Sequence, residues 1–301
     1  MGLTPDGLGW RCHVCDAHGD AVTLAAWVVA QRPSPNDWKP IRDALAGILS
    51  APLAPSPRMS PVSPATLARP PRAELEALWS ASLPLDAVPS DLEPSWTGDV
   101  RAYLCQRGFD VGWLTTPAAR GLARVLPPPE RFPFPPWWPY SPEVYRLALL
   151  GFAPDGTVAT IQARAIRANL PAQDKTRNPR GFSYAGTLFA DDHGREFLQA
   201  VRGRGPWSEL EAVVIAEGLT DTLKLVQVAQ HHERSWGVLG MVSGSASAFR
   251  ALSTWPESVP CWVATDGDDA GDRYASQVRE ALPPHVTVER VNFTSRQEGS
   301  R

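Results

Sequence analysis

The stretch CWVATDGDDAGDRYASQV, residues 261–278, places four acidic side chains directly after a short apolar run. Residues 261–264 suit a buried strand, and a helical pattern begins near residue 270. The acids between and within these segments are Asp266, Asp268, Asp269 and Asp272. Carboxylates this close repel one another, and the favourable position of acids in the first turn of a helix explains only part of the crowding. The stretch therefore predicts a strand, a turn and a helix arranged around a positively charged ligand.

The last third of the chain repeats this alternation of strand and helix. Strands are predicted at 212–217, 236–242, 261–266 and 286–293, and helices at 220–232, 245–255 and 270–282. Alternation at these lengths predicts a parallel sheet flanked by helices, which is an α/β fold. Ligands of such sheets bind at the carboxyl ends of the strands. Because Glu217 ends the first predicted strand and Asp266 ends the third, we expect both carboxylates at one edge of the sheet.

That edge has the chemistry of a divalent-cation site. Carboxylate oxygens are the hard ligands that Mg²⁺ prefers, together with water and substrate phosphates. Gly218 and Gly267 follow the two strand-ending acids and allow tight turns there. A set of this kind can hold one or two metal ions that organise phosphoryl transfer. The Asp266–Asp268 pattern alone is less specific, since aspartate and glycine also form turns and helix caps.

Two segments carry a resemblance to a known domain. VVIAEGLTDTLKL (213–225) and VATDGDDAGDRYA (263–275) resemble the Toprim domain shared by bacterial primases, topoisomerases and certain nucleases. The resemblance implies that Glu217, Asp266 and Asp268 bind Mg²⁺ or Mn²⁺ at the catalytic centre. It gives Asp221 a supporting role as a metal ligand or orienting group. Asp269 and Asp272 are interpreted instead as the first residues of a helix.

Three upstream segments resemble successive elements of the DnaG-type bacterial primase core. They are VRAYLCQRGFDVGWL (100–114), YRLALLGFAPDGTVATIQARAI (145–166) and DKTRNPRGF (174–182). The resemblance implies a basic face that guides the template and the incoming nucleotide toward the metal ions. The matching positions are Arg107, Arg146, Arg164, Lys175 and Asn178. Guanidinium groups bind phosphates bidentately, although ordinary solvated surface charge is the alternative for any single arginine.

The N-terminal segment GWRCHVCDAHGD, residues 9–20, contains Cys12-x-x-Cys15. It resembles the second half of the CHC2 zinc finger of bacterial primases, which implies Zn²⁺ as a further cofactor. A tetrahedral zinc site needs four ligands, and the upstream C-x-x-H pair of that finger is absent from this sequence. Three explanations stay open. Residues ahead of Met1 complete the finger, the finger is degenerate and metal-free, or His13 and His18 supply ligands.

Composition and proline-rich segments divide the chain into four parts. The sequence contains 31 prolines among 301 residues, and residues 51–72 are too rich in proline for anything but an extended linker. We therefore expect a partial zinc-finger module at 1–50, the linker at 51–72, a mixed α+β basic subdomain at 73–205 and the Toprim catalytic domain at 206–296. A second proline-rich segment, 126–142, carries Trp137 and Trp138, which we expect to pack against the body of the protein.

Targeting signals and cysteine use point to the cytoplasm. The longest apolar run, 21–30, is too short to span a bilayer, and the N-terminus has no secretory pattern. Four cysteines make a poor disulfide framework for 301 residues, which favours a reducing compartment. We expect no membrane association.

The sequence as a whole predicts a primase-like nucleotidyltransferase. It would synthesise short RNA primers on single-stranded DNA from ribonucleoside triphosphates, with a helicase as a separate partner because no GxxxxGK[ST] motif is present. That arrangement indicates a phage or mobile-element type of primase. Two alternatives stay open: a Toprim nuclease or topoisomerase-like enzyme, and a non-catalytic accessory protein that binds single-stranded nucleic acid.

Overall fold

The computed structural model describes the backbone of residues 2–3, 9–11, 18–20, 68–87, 95–167, 170–171, 174–205, 209–242 and 246–291, with side chains from residue 68 onward. The chain divides into two compact units, Met1–Val62 and Ser63–Arg301. The division falls inside the predicted linker. The four-part division proposed from the sequence stays a prediction.

The first unit contains a small antiparallel sheet. Its strands are β1 (Gly2–Leu3), β2 (Gly9–Arg11) and β3 (His18–Asp20), in the order β1-β2-β3. Cys12, Cys15 and His13 lie outside the described residues, and the side chain of His18 is not described either. Zinc binding by this unit therefore stays a prediction.

The second unit contains six described α-helices and ten described strands. The helices are α1 (Arg72–Ala81), α2 (Ser95–Gln106), α3 (Pro117–Leu122), α4 (Asp192–Ala200), α5 (Leu219–His231) and α6 (Asp269–Ala281). The strands are β4 (Leu83–Pro84), β5 (Ala123–Val125), β6 (Tyr145–Phe152), β7 (Val158–Ala165), β8 (Thr176–Arg177), β9 (Leu188–Ala190), β10 (Ala212–Ala216), β11 (Trp236–Met241), β12 (Cys261–Ala264) and β13 (Val288–Arg290).

Four parallel strands form the part of the sheet that the sequence predicts. Their order is β13-β12-β10-β11, so the chain moves from β10 to one side and then crosses to the other. Strands β10 and β12 are direct neighbours, with Ala216 paired to Ala264 at their carboxyl ends. Open α/β sheets bind ligands where the strand order reverses in this way. The predicted parallel α/β fold is confirmed.

The helix predicted over 245–255 is shorter and more tightly wound than expected. The described residues there form a 3₁₀ helix, Ala246–Ala251. A 3₁₀ helix has three residues per turn, so every third residue points the same way. Ala246, Ala248, Phe249 and Leu252 are buried, so this short segment contributes to the core.

Antiparallel strands extend the parallel part into a ten-stranded sheet. Strand β9 pairs antiparallel with β11 and with β6. Strands β6 and β7 form a hairpin within the segment 145–166. The sheet therefore contains strands from both sides of the subdomain boundary that the sequence suggested between residues 205 and 206. The basic segment and the acidic strand ends belong to one framework.

The end of the predicted linker is fixed to this framework. Arg69 donates from Nη1 and Nη2 to the carbonyl oxygens of Ser183 and Ala185, at 2.5 and 2.7 Å. The backbone N–H of Ser183 in turn donates to Ala68. An extended linker can therefore include only residues ahead of Ala68.

The core packs on both faces of the sheet. One cluster lies beneath α2, α3 and α5, and a second beneath α4 and α6. Trp137 and Trp138 are buried in a third cluster, which confirms the prediction that they pack against the body. None of the described helices is long and apolar enough to cross a membrane.

Candidate active site

Glu217 and Asp266 lie side by side at the carboxyl edge of the parallel strands. Glu217 directly follows β10, and Asp266 follows β12 after a single residue, Thr265. The backbone N–H of Asp266 lies near enough to the Glu217 carboxylate to lower its pKa. The structure therefore brings together the two strand-ending acids on which the sequence argument depends.

The carboxylate of Glu217 lacks a full set of partners. Desolvation raises its pKa above the ordinary value for glutamate, and the negative charges of Asp266, Asp221 and Asp268 raise it further. Its Oε2 atom is buried and has no hydrogen-bond partner within the described part of the chain. A buried oxygen left without a donor costs free energy, and a cation would remove that cost.

Asp221 lies between the acidic cluster and two arginines. It occupies the first turn of α5, where part of its surface is exposed although protein atoms surround the carboxylate. That desolvation raises the pKa of Asp221, as does the charge of Asp266, while the charges of Arg164 and Arg107 lower it. The position is consistent with the supporting role that the resemblance gives to this residue.

The first turn of α6 shapes the second half of the acidic edge. Asp268 caps the helix, its Oδ1 accepting the backbone N–H of Gly271 at 2.8 Å. Asp269 and Asp272 lie in the first helical turn, as the sequence predicts. A methyl group at Gly271 would overlap the carbonyl oxygen of Asp266. Glycine is required there because the helix begins against the end of β12.

Sequence reasoning missed one residue of this edge, Arg290 on β13. Its Nη2 donates to the carbonyl oxygen of Asp266 at 2.5 Å, and its Nη1 forms an ion pair with Asp272. Nothing in the local sequence signals these contacts, since they depend on the pairing of β13 with β12.

The carboxylates match a divalent cation in chemistry, without forming a closed cage. Within the described residues, no three Asp, Glu, His or Cys side chains converge closely enough to enclose a metal ion. Mg²⁺ commonly binds through one or two carboxylates and completes its shell with water and phosphate oxygens. The partnerless Oε2 of Glu217 supplies one such donor. That Glu217, Asp266 and Asp268 hold Mg²⁺ or Mn²⁺ in this open manner, supported by Asp221, stays a prediction.

A groove of about 820 Å³ collects three of the five predicted nucleic-acid-binding residues. Arg107, Arg164 and Lys175 line it together with Arg167 and Tyr103. We call it the basic groove. The Nε of Arg164 donates to the hydroxyl of Tyr103 at 2.7 Å, and the guanidinium of Arg107 lies 5.1 Å from the centre of the Tyr103 ring. Tyr103 therefore holds two of the cations in place.

The basic groove adjoins the acidic edge. The charges of Arg164 and Arg107 act on Asp221, which fixes the groove beside the start of α5. Lys224 of the same helix donates to the carbonyl oxygen of Gly108 and lies 5.1 Å from the centre of the Phe109 ring. The helix that carries Asp221 is thus joined to the turn that follows Arg107.

Arg146 and Asn178 are placed differently. The Nη1 of Arg146 pairs with Asp99 at 3.1 Å, and its guanidinium lies 4.1 Å from the centre of the Trp96 ring. The Oδ1 of Asn178 accepts a hydrogen bond from Gln162 at 3.1 Å. Neither residue belongs to the described lining of the basic groove. Their predicted contacts with nucleic acid stay predictions, and Arg146 has a structural role in addition.

No protein-family model matches the chain. No curated protein is significantly similar to it.

Solved structures define the class of fold. The chain is similar to a DNA primase domain from Pseudomonas aeruginosa, with a TM-score of 0.50, 16% identity and coverage of 76% of this chain and 72% of that one. The fold of the described residues is therefore a mixed α/β core like that of bacterial DNA primases.

Two further structures show the same likeness. The zinc-binding and RNA polymerase domains of the Aquifex aeolicus primase give a TM-score of 0.47 at 16% identity, over 98% of this chain and 69% of that one. A DnaG primase catalytic domain bound to single-stranded DNA gives a TM-score of 0.47 at 16% identity, over 75% and 74%.

Proposed function

We propose that this protein is a primase-type nucleotidyltransferase. It joins ribonucleotides into short primers on a single-stranded DNA template with the help of Mg²⁺ or Mn²⁺. The observation that carries the proposal is the junction of the basic groove with the acidic edge. There the charge of Arg164 lowers the pKa of Asp221, while the charge of Asp266 raises the pKa of both Asp221 and Glu217. Phosphates held by the groove would lie next to carboxylates suited to bind the metal.

The basic groove is the binding surface for the polyanion. Arg107, Arg164, Arg167 and Lys175 present guanidinium and ammonium groups on one lining. Each phosphate that they neutralise releases counterions, so affinity for a single strand should depend strongly on salt. Tyr103 orients Arg164 and Arg107, which limits the conformational entropy lost when they bind phosphate.

The acidic edge is the proposed catalytic centre. Glu217, Asp266 and Asp268 would hold the metal, with Asp221 supporting them. The metal, when bound, would lower the pKa of the primer 3′-hydroxyl and neutralise charge on the triphosphate. Because the pKa of Glu217 is raised, its carboxyl holds a proton more readily than an ordinary glutamate does while no cation is bound. Cation binding should therefore release protons.

Primer synthesis tests the proposal directly. The wild-type chain and Glu217→Gln are incubated with single-stranded DNA, all four ribonucleotides and Mg²⁺ or Mn²⁺. We expect oligoribonucleotides from the wild type and a loss of roughly 10²-fold or more in the variant, the size found when a catalytic acid–base group is removed. Glu211→Gln is the matched control, because Glu211 precedes the same strand at its opposite end and pairs with Arg234.

The same preparations distinguish the alternatives. Template binding without product under either metal would contradict the polymerase and leave a single-strand-binding accessory protein. Cleavage or relaxation of a plasmid that depends on Glu217 would indicate a nuclease or topoisomerase-like enzyme instead. Failure of both binding and synthesis would also contradict the proposal.

A further inference from the structure

We propose that Arg290 is a positioning residue that determines which carboxylates of residues 266–272 face the metal. This inference rests on the proposed function. The carboxylate of Asp266 would face the metal and that of Asp272 would be held away from it, although both residues belong to the same acidic stretch.

The two contacts of Arg290 span this stretch from one end to the other. Its Nη2 donates to the carbonyl oxygen of Asp266 at 2.5 Å, and its Nη1 pairs with the carboxylate of Asp272. The arginine side chain is 22% exposed, whereas that of Asp272 is 64% exposed. The guanidinium is therefore largely enclosed, whereas the Asp272 carboxylate that it pairs with stays largely exposed to solvent.

The position of Arg290 follows from strand pairing. Arg290 is the register partner of Val263, which lies three residues before Asp266. The backbone N–H of Val291 donates to the carbonyl of Val263 at 2.9 Å, which fixes this register. A long side chain from β13 can therefore reach the end of β12, where the acidic turn begins.

The two contacts of Arg290 involve different chemical groups of the two aspartates. The contact with Asp266 uses its backbone carbonyl, so the Asp266 carboxylate stays available to a cation. The contact with Asp272 uses its carboxylate, which a cation would otherwise attract. Arg290 thus fixes the backbone of one acid while neutralising the side chain of the other. Groups that orient metal ligands typically change metal affinity by about 10- to 100-fold when they are removed.

Metal binding measured without substrate tests the proposal. The full chain is titrated with Mn²⁺ alone, and the free ion is followed by electron paramagnetic resonance. We expect Arg290→Met to weaken Mn²⁺ binding by about 10- to 100-fold, and Arg290→Lys to recover part of the affinity because an ammonium can keep one of the two contacts. Arg279→Met is the matched control. Arg279 donates to Val288 on the same strand at 3.3 Å and has no recorded contact with the acidic turn.

A second variant separates positioning from a general loss of structure. Asp272→Asn leaves the contact between Arg290 and Asp266 in place, so Mn²⁺ affinity should remain at the wild-type level. A marked loss in Asp272→Asn would show that Asp272 is itself a ligand and would overturn the proposal. Unchanged affinity in Arg290→Met, or a wild-type chain that binds no Mn²⁺, would overturn it as well. Mn²⁺ binding that depends on Arg290 without primer synthesis would contradict the proposed function and leave the positioning role intact.

Discussion

The backbone N–H of Asp266 lies beside the carboxylate of Glu217 across two neighbouring strands, although 49 positions separate the residues in the chain. The contact lowers the pKa of Glu217, but desolvation and three nearby aspartates outweigh it and raise that pKa. Without a cation, the ionised edge therefore carries an electrostatic penalty, and this penalty leads to measurable consequences.

The first consequence concerns stability as a function of pH. Because the pKa values of Glu217 and Asp221 are raised in the native state, native chains hold these protons where unfolded chains have lost them. Their contribution to the free energy of unfolding therefore falls as pH rises from the ordinary values, about 4, to the raised ones. We expect melting curves in EDTA to show a weaker pH dependence in Glu217→Gln and Asp221→Asn than in the wild type. Glu211→Gln should keep the wild-type dependence, and equal slopes in all four proteins would contradict this account.

Cation binding at the same edge predicts a second effect. Mg²⁺ should raise the melting temperature of the wild type more at neutral pH than near pH 4, because only ionised carboxylates bind the ion. The double variant Asp266→Asn with Asp268→Asn should lose this stabilisation. Differential scanning calorimetry in EDTA and in Mg²⁺ makes the comparison, and stabilisation of equal size in the double variant would locate the ion elsewhere.

The basic groove predicts the salt dependence of single-strand binding. Each phosphate contact contributes about 0.7 to the slope of log affinity against log salt on a single strand. Arg164→Ala and Lys175→Ala should therefore each weaken binding and reduce the slope by about that amount. Fluorescence anisotropy of a labelled oligonucleotide measures both quantities. Arg195→Ala, which removes a surface arginine paired with Asp192, should leave the slope unchanged.

Substitution of Arg146 distinguishes a structural role of this residue from a contact with nucleic acid. Arg146→Met removes the ion pair with Asp99 and the stacking on Trp96, and should lower the free energy of unfolding by about 1–2 kcal/mol. The exposed pair Arg72–Glu76 provides the control, since Arg72→Met should leave the free energy of unfolding nearly unchanged. Urea denaturation measures both. A reduced salt slope of DNA binding in Arg146→Met would instead support its predicted contact with phosphate.

Gly271 predicts that the shape of the turn matters as much as its charges. Gly271→Ala forces a methyl group onto the Asp266 carbonyl, and the free energy of unfolding should fall by about 1–3 kcal/mol. Mn²⁺ affinity should fall as well. Gly267→Ala is the matched control in the same turn, because a methyl group at Gly267 would meet open space. Equal effects of the two substitutions would show that the close approach at Gly271 is unimportant.

Local pattern predicted much of the half of this protein that contains the parallel strands. Apolar runs that end in Glu217 and Asp266 gave the strands, and the Asp268–Gly271 turn gave the start of α6, because strand burial and helix capping depend on neighbouring residues. The same approach predicted too long a helix at 245–255, where the described residues form a 3₁₀ helix over Ala246–Ala251. It also gave no indication that Arg146 is engaged by Asp99 and Trp96, since those partners lie 47 and 50 positions away.

The sequence by itself determined which residues are strand, helix and acidic turn, because those choices follow from side-chain chemistry within a few residues. Only the tertiary structure decided the strand order β13-β12-β10-β11. That order places Glu217 beside Asp266. It also brings Arg290 to the turn between β12 and α6. Strand neighbours are selected by how the whole chain buries its apolar faces, and no short stretch of sequence contains that information.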